Sequence, residues 1–230
     1  FMIMFLYVFG GAIKTALPAA AGGSYVNWLI PGILAQFAVF SASTTAYGLH
    51  DDRASGVIDR FRSLPTARCA VLAGRTLADL IRSGAILALQ LGAGLLLGFR
   101  PQTGIVSLLA ALGIALAFGY ACSWVMATLG LAVRNTEAIQ AAVYSVVFPL
   151  TLVSSVFLPT QTMPGWLRVF ADHQPITVVA NTLRGLVLGQ AALPPGQTVA
   201  GQTLLALAWT AAILAVFTPL AVRVYRRTVS

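Results

Sequence analysis

Charge is scarce in this chain. Of its 230 residues only 9% are charged, whereas 58% are hydrophobic. A soluble domain carries about 25% charged residues, so this chain could not cover a water-facing surface of its size. The few charges are also clustered, and long windows between the clusters contain none. The sequence therefore predicts an all-α integral membrane protein and disfavours a soluble globular domain.

Residues that carry enzyme or metal chemistry are equally sparse. The two histidines, His50 and His173, fall in separate predicted loops, where a solvated residue is favoured over a ligand. The cysteines, Cys69 and Cys122, lack the spacing of metal ligands and are predicted at different membrane depths, which disfavours a disulfide. Neither a nucleophile–base constellation nor a P-loop pattern occurs in the sequence. We therefore expect no catalytic residue, no metal site and no cofactor in this chain.

Apolar segments, by contrast, are abundant. A transmembrane helix needs about 20 predominantly apolar residues, and Tyr25 and Trp28 resemble an interfacial aromatic anchor at the start of one such segment. Residues 1–13 are too short to span and are expected to be the end of a helix that starts before this chain. With that helix, we predict six spans, over residues 1–13, 28–49, 70–99, 105–133, 138–158 and 199–222.

Prolines mark the segment between the fifth and sixth predicted spans. Two short amphipathic stretches, 165–171 and 176–188, lie between prolines there, and each is too short to cross a bilayer. Short re-entrant helices that enter the membrane from one face would explain both the apolar content and the prolines. Pro149 is expected to break the fifth span internally.

Basic residues give the predicted orientation. Six spans place both termini on one side, and ten of the 14 lysines and arginines fall on the side of the 50–68 loop and the C-terminal tail. The positive-inside rule makes that side cytoplasmic. The net charge of +8 does not form a basic stripe with interleaved aromatics, so we expect no nucleic-acid partner.

The 50–68 loop is more than a charged turn. Val57, Ile58 and Phe61 alternate with charged residues at helical spacing, and Pro65 ends the pattern. This predicts a short amphipathic helix. Such a helix can lie on the membrane or insert into a groove of a partner protein, and we favour the partner.

Motifs in and after this loop resemble a known family. Residues 51–56 (DDRASG), 60–65 (RFRSLP) and Arg68 are similar to the loop between the second and third spans of ABC-2-type transporter permeases, especially the daunorubicin-resistance-like exporters. The matches run in order over nearly the whole chain and indicate a single ABC-2-type transmembrane domain over residues 1–230. The later matches are 74–79 (GRTLAD), 97–100 (LGFR), 134–138 (RNTEA), 148–149 (FP), 157–159 (FLP), 163–167 (MPGWL), 174–177 (QPIT) and Arg184.

The resemblance implies partners and a function. The loop would be the coupling helix that docks in a cleft of a separate ATP-binding cassette subunit, and that subunit would bind ATP and Mg²⁺. The chain would be the permease subunit of an exporter in the bacterial inner membrane, paired with a second permease subunit in a homodimer or heterodimer. The coupling positions would be Arg53, Gly56, Arg60, Phe61, Arg62 and Pro65.

Two further groups are candidate sites. Arg75, Asp79 and Arg82 stand at i, i+4 and i+7, so they share a helical face and predict an intramembrane ion pair. Few fixed charges lie elsewhere in the predicted spans, which favours a hydrophobic or amphipathic substrate such as a drug, a lipid or a glycolipid. An exit gate is predicted from a kinked helix end, at Pro149, Ser154, Ser155 and Phe157.

A secondary transporter is the alternative interpretation. Such a protein would need an acid within the membrane for proton coupling, and Asp79 is the candidate in this sequence. The sequence leaves the direction of transport open.

Overall fold

The computed structural model describes Met4 and residues 24–54, 68–133 and 135–229. Over these residues the chain forms seven α-helices and no strand, so the all-helical prediction is confirmed for them. Two short 3₁₀ turns, Thr160–Thr162 and Gln190–Ala192, lie in the connections. The helices are α1 (Tyr25–Ala54), α2 (Arg68–Leu96), α3 (Ile105–Ala132), α4 (Thr136–Leu152), α5 (Gly165–His173), α6 (Pro175–Leu188) and α7 (Val199–Val229).

Four of these helices are long and apolar enough to cross a membrane. α4 and α6 are apolar but shorter, with 17 and 14 residues. Apart from Met4, the predicted span 1–13 lies outside the described residues, so the count of six spans stays a prediction, and so do the re-entrant helices. The four candidate spans cover Tyr25–Asp51, Leu77–Leu96, Ile105–Ala132 and Val199–Val224.

The predicted fifth span is longer than the helix that forms. We expected it to reach residue 158, but α4 continues through Pro149 and ends at Leu152. The amide of Val153 still donates to the Pro149 carbonyl at 2.9 Å, whereas the amide of Ser154 turns back to Thr151 at 3.2 Å. The helix therefore tightens into a turn just after the proline, and residues 153–158 form a non-helical connection.

The chain divides into two compact units. The first comprises Phe1–Phe37, Ile86–Ala115 and Pro149–Trp209. In it, α5 packs on α6, and α6 packs on the turn that follows it. The amides of Gln102 and Thr103 both donate to the carbonyl of Val187, at 2.9 and 3.3 Å, which ties the α2–α3 connection to the end of α6.

The second unit comprises Ala38–Ala85, Leu116–Phe148 and Thr210–Ser230. Here glycines of α3 approach the backbone of α1: a Cβ at Gly119 would lie 3.1 Å from the Ala38 carbonyl oxygen. Small residues allow such close packing between membrane helices. A buried apolar cluster lies in the same unit and consists of Leu49, Trp124, Ala127, Leu131 and Ala221.

Candidate functional site

The most unusual residue of the first unit is a buried arginine. Arg184 lies on α6, whose residues are nearly all buried, and its own exposed fraction is 0%. It is also the only formally charged side chain in the sequence between Asp172 and Arg223. Burial of a charge is unfavourable unless the group is fully hydrogen-bonded or paired. The surroundings of Arg184 therefore have to supply acceptors.

The guanidinium of Arg184 uses all its donors. Nε donates to the carbonyl oxygen of Trp28 at 3.1 Å. Nη1 donates to Ser155 Oγ at 2.9 Å and to Asn181 Oδ1 at 3.1 Å. Nη2 donates to the carbonyl oxygens of Ser155 at 2.6 Å and Val156 at 3.0 Å. An arginine carries five N–H donors, and each of them has a neutral acceptor here.

The indole of Trp28 adds a cation–π contact, because the guanidinium carbon lies 3.7 Å from the ring centroid. Gly32, one turn further along α1, makes room for the group. A Cβ at position 32 would lie 2.5 Å from the Val156 carbonyl oxygen and 2.8 Å from Arg184 Nη2. We call Trp28, Gly32, Ser155, Val156, Asn181 and Arg184 the arginine cluster.

Side chains also donate hydrogen bonds to backbone carbonyls in the last turn of α4 and in the connection that follows it. The last carbonyls of a helix have no intrahelical donor, and they need other partners when they are buried. One backbone amide in this region also has a side-chain partner, because the amide of Ser155 donates to Thr177 Oγ1 of α6 at 3.0 Å. Gln174 Nε2 donates to the carbonyl oxygens of Leu150 at 3.1 Å and of Val153 at 2.9 Å. Ser154 Oγ donates to the carbonyl oxygen of Thr151 at 2.5 Å, and Tyr25 Oη donates to that of Phe157 at 3.2 Å.

The predicted gate residues thus meet a residue that sequence reasoning left out of the site. Ser154, Ser155 and Phe157 are buried, and Ser155 contacts Arg184, whereas Pro149 is exposed on α4. Their role as an exit gate stays a prediction. An isolated charge in a long uncharged stretch was the signal that could have identified Arg184.

The aromatic anchor is placed differently from our expectation. Tyr25 and Trp28 are 3% and 2% exposed, so both are buried. Their partners are protein groups: Tyr25 donates to the Phe157 carbonyl, and Trp28 covers the guanidinium of Arg184. The prediction that they face the membrane interface is therefore wrong.

Asp79 and Arg82 of the predicted ion pair are described. Asp79 is buried, and its Oδ2 accepts a hydrogen bond from Thr45 Oγ1 at 2.5 Å. Arg82 is exposed, and among the described side chains no ion pair joins it to Asp79. The side chain of Arg75 lies outside the described set, so the three-residue ion pair stays a prediction.

The coupling positions cannot be compared with the structure in the same way. Arg53 lies in the last turn of α1, and its side chain is outside the described set. The remaining coupling positions also lie outside the described residues. They are Gly56, Arg60, Phe61, Arg62 and Pro65.

Several candidate spans and a buried, fully hydrogen-bonded charge define a multi-pass α-helical membrane protein. Residues 1–188 match the ABC-2 type transporter family, and the chain belongs to that family. The resemblance found in the sequence is thereby confirmed. The family is one of transporter permeases, so the chain has a transport role.

Individual relatives agree with this assignment. A daunorubicin resistance ABC transporter permease of Streptomyces coeruleorubidus is 36% identical over 226 residues, which cover 98% of this chain and 76% of the relative. A probable doxorubicin resistance ABC transporter permease of Mycobacterium tuberculosis is 28% identical over 226 residues, covering 98% and 79%. ABC transporter G family member 20 of Dictyostelium discoideum is 28% identical over 189 residues, covering 76% of this chain and 24% of that protein.

Proposed function

We propose that this chain is the permease subunit of an ATP-driven ABC exporter that moves a hydrophobic or amphipathic substrate across the bacterial inner membrane. The observation that carries the proposal is the 36% identity, over 98% of the chain, to a daunorubicin resistance permease. Daunorubicin is therefore the first substrate to test, with lipids and glycolipids as the other members of the class. The positive-inside bias supports cytoplasmic termini.

The energy would come from a separate ATP-binding cassette subunit that binds ATP and Mg²⁺. These 230 residues contain no P-loop pattern. The coupling helix, with Arg53, Gly56, Arg60, Phe61, Arg62 and Pro65, would dock on that subunit, and a second permease subunit would complete the transporter.

Two hydrogen bonds between α1 and α2 support such coupling. Ser41 and Ser83 pair through their hydroxyls at 3.1 Å, and Thr45 donates to Asp79 at 2.5 Å. α1 leads into the coupling segment and α2 leads out of it. Because the two helices are joined side by side, a displacement of the segment between them would move both helices together.

The low fixed charge of the described helices supports a hydrophobic substrate. Arg184 has all five donors in use, and Asp79 is buried against Thr45. Neither group is therefore available as a charged contact for a substrate without rearrangement. A small hydrophilic ion, which has no apolar part to bury, would leave its charge unpaired in such surroundings.

The test is affinity purification of the protein from its native membranes in mild detergent, with identification of what accompanies it. We expect a near-stoichiometric ATPase that is lost in Phe61→Asp, because the substitution places a charge where an apolar anchor is expected. Asn135→Asp is the matched control. It adds the same charge in another predicted cytoplasmic loop and keeps the helix-capping oxygen that accepts from the Ala138 amide. A well-folded protein without any ATPase would contradict the proposal.

A proton-coupled secondary transporter is the second candidate, favoured by the burial of Asp79 in a candidate span. Such a carrier would transport under a pH gradient without a partner. Asp79→Asn would abolish that transport, since the amide keeps a hydrogen-bonding oxygen for Thr45 but takes up no proton. An ATP-driven exporter would keep most of its transport in the same variant.

A further inference from the structure

The arginine cluster connects three parts of the chain. Arg184 itself belongs to α6, the Trp28 carbonyl belongs to α1, and the Ser155 and Val156 carbonyls belong to the connection after α4. All five donors are in use, so the guanidinium cannot release one part without losing a bond. One side chain thus joins α1, α6 and residues 153–157.

Other contacts hold the same three parts together. The Tyr25 hydroxyl of α1 donates to the Phe157 carbonyl at 3.2 Å. Thr177 Oγ1 of α6 accepts from the Ser155 amide at 3.0 Å. At Gly32 the backbone of α1 lies directly against the Val156 carbonyl. These contacts reinforce the arginine, whose five donors supply most of the hydrogen bonds that join the three parts.

Opening this cluster would expose a charge to apolar surroundings. An arginine stays protonated in proteins, so its charge cannot be removed by loss of a proton. If the connection moved away from α1, the guanidinium would lose acceptors, and its hydrogen-bond partners in the described structure include no carboxylate that could replace them. Separation of the start of α1 from residues 153–157 is therefore unfavourable.

We propose that Arg184 is a positioning residue that clamps residues 25–37 of α1, α6 and residues 153–157 into one rigid body throughout transport. The predicted gate residues Ser154, Ser155 and Phe157 are then a fixed wall, and the substrate path opens elsewhere than between this connection and α1. The part of the proposal that concerns the transport cycle rests on the proposed ATP-driven function. The clamp in the resting protein does not depend on that function.

Cysteine accessibility tests the clamp directly. Val156 is 0% exposed and takes part in the cluster only through its backbone, whereas Leu158, two residues on, is 37% exposed. We would place Val156→Cys or Leu158→Cys in a Cys69→Ser, Cys122→Ala background and measure labelling by a maleimide in proteoliposomes. The thiol at position 158 reports surface access, and it should label at least about tenfold faster than the thiol at position 156 in the resting protein, because only position 156 needs local opening.

Substitution of the arginine should open the site. Arg184→Lys keeps the charge, but a compact ammonium with three donors cannot replace the planar five-donor fork. We expect position 156 to label at least about tenfold faster in this variant, with position 158 unchanged. Asn181→Asp places a carboxylate where Nη1 now meets an amide oxygen at 3.1 Å, and it should keep position 156 protected. A role limited to general stability would also raise the labelling of a buried thiol outside the cluster, which the native Cys122 reports in a Cys69→Ser background.

The outcomes separate the two proposals. If position 156 is labelled as slowly in Arg184→Lys as in the parent protein, the clamp proposal is wrong. Rapid labelling of position 156 in the parent protein during ATP-driven turnover would also overturn it, whereas protection during turnover supports it. If Arg184→Lys does not fold, Ser155→Ala removes one acceptor and should accelerate labelling of position 156 alone. Absence of any ATP-driven transport would refute the proposed function and leave the resting comparison valid.

Discussion

Replacement of Gly32 by alanine is the simplest way to strain the arginine cluster. The added Cβ would lie 2.5 Å from the Val156 carbonyl oxygen and 2.8 Å from Arg184 Nη2, and both contacts are shorter than van der Waals distance. Neither atom can retreat freely, because the two are hydrogen-bonded to each other at 3.0 Å. The new methyl group therefore has to displace either α1 or the guanidinium.

The size of the effect follows from two opposing contributions. Overpacking in a tight core destabilises by about 1–3 kcal/mol, and weakening one charge-assisted hydrogen bond adds about 1.5–3 kcal/mol. Alanine in place of a helical glycine contributes about 0.5–1 kcal/mol in the opposite direction. The net destabilisation is about 1.5–5.5 kcal/mol, which corresponds to a Tm decrease of about 3–22 °C for a chain of this size.

Gly92→Ala is the matched control. Gly92 is also inside a helix, and a Cβ built there meets no atom within 4 Å. We expect this variant to be as stable as the parent or slightly more stable. Thermal unfolding in detergent, followed by tryptophan fluorescence, gives both values, and Trp28 lies in the perturbed cluster. Equal Tm values for the two variants would refute the close approach at Gly32.

Three further substitutions test other contacts. Trp28→Leu removes the cation–π contact and keeps the carbonyl acceptor, so the free energy of unfolding in detergent should fall by about 1–2 kcal/mol. Trp28→Phe keeps an aromatic ring and should lower it less. Equal decreases for the two variants would argue against the contact. Gln174→Leu leaves two carbonyls near the end of α4 without their donor, so hydrogen exchange of the backbone amides after α4 should accelerate. Unchanged exchange rates would contradict this capping role. Gly130→Ala would overlap the Ala46 backbone and should lower Tm, unlike Gly113→Ala, which meets no atom within 4 Å; equal Tm values would show that α1 and α3 are not in close contact there.

Much of the fold follows from local sequence patterns. The predicted spans 28–49 and 105–133 match α1 and α3 to within a few residues, because the length of an apolar run sets the length of a membrane helix. The predicted short helices 165–171 and 176–188 match α5 and α6, since prolines stand at their starts. The end of α4 was predicted too late, because the residues after Leu152 are as apolar as those before it and only their hydrogen bonds distinguish them.

The arginine cluster could not be derived from the sequence alone. Trp28 and Arg184 are 156 positions apart, and their contact depends on how three separate segments pack. Hydropathy also gave the wrong surroundings for Tyr25 and Trp28, because an aromatic side chain near a helix start can face lipid or protein equally well. The coupling helix, in contrast, was assigned from residue types and family resemblance, and it still awaits an experimental test.

ATP-dependent transport in inside-out membrane vesicles tests the central proposal most directly, with fluorescent daunorubicin as the probe. The vesicles would contain the protein together with the ATPase that copurifies with it. We predict that the probe accumulates only with ATP and Mg²⁺, that Phe61→Asp abolishes accumulation, and that Asp79→Asn leaves most of it intact. Accumulation under a pH gradient without ATP, lost in Asp79→Asn, would contradict the account and establish the proton-coupled carrier in its place.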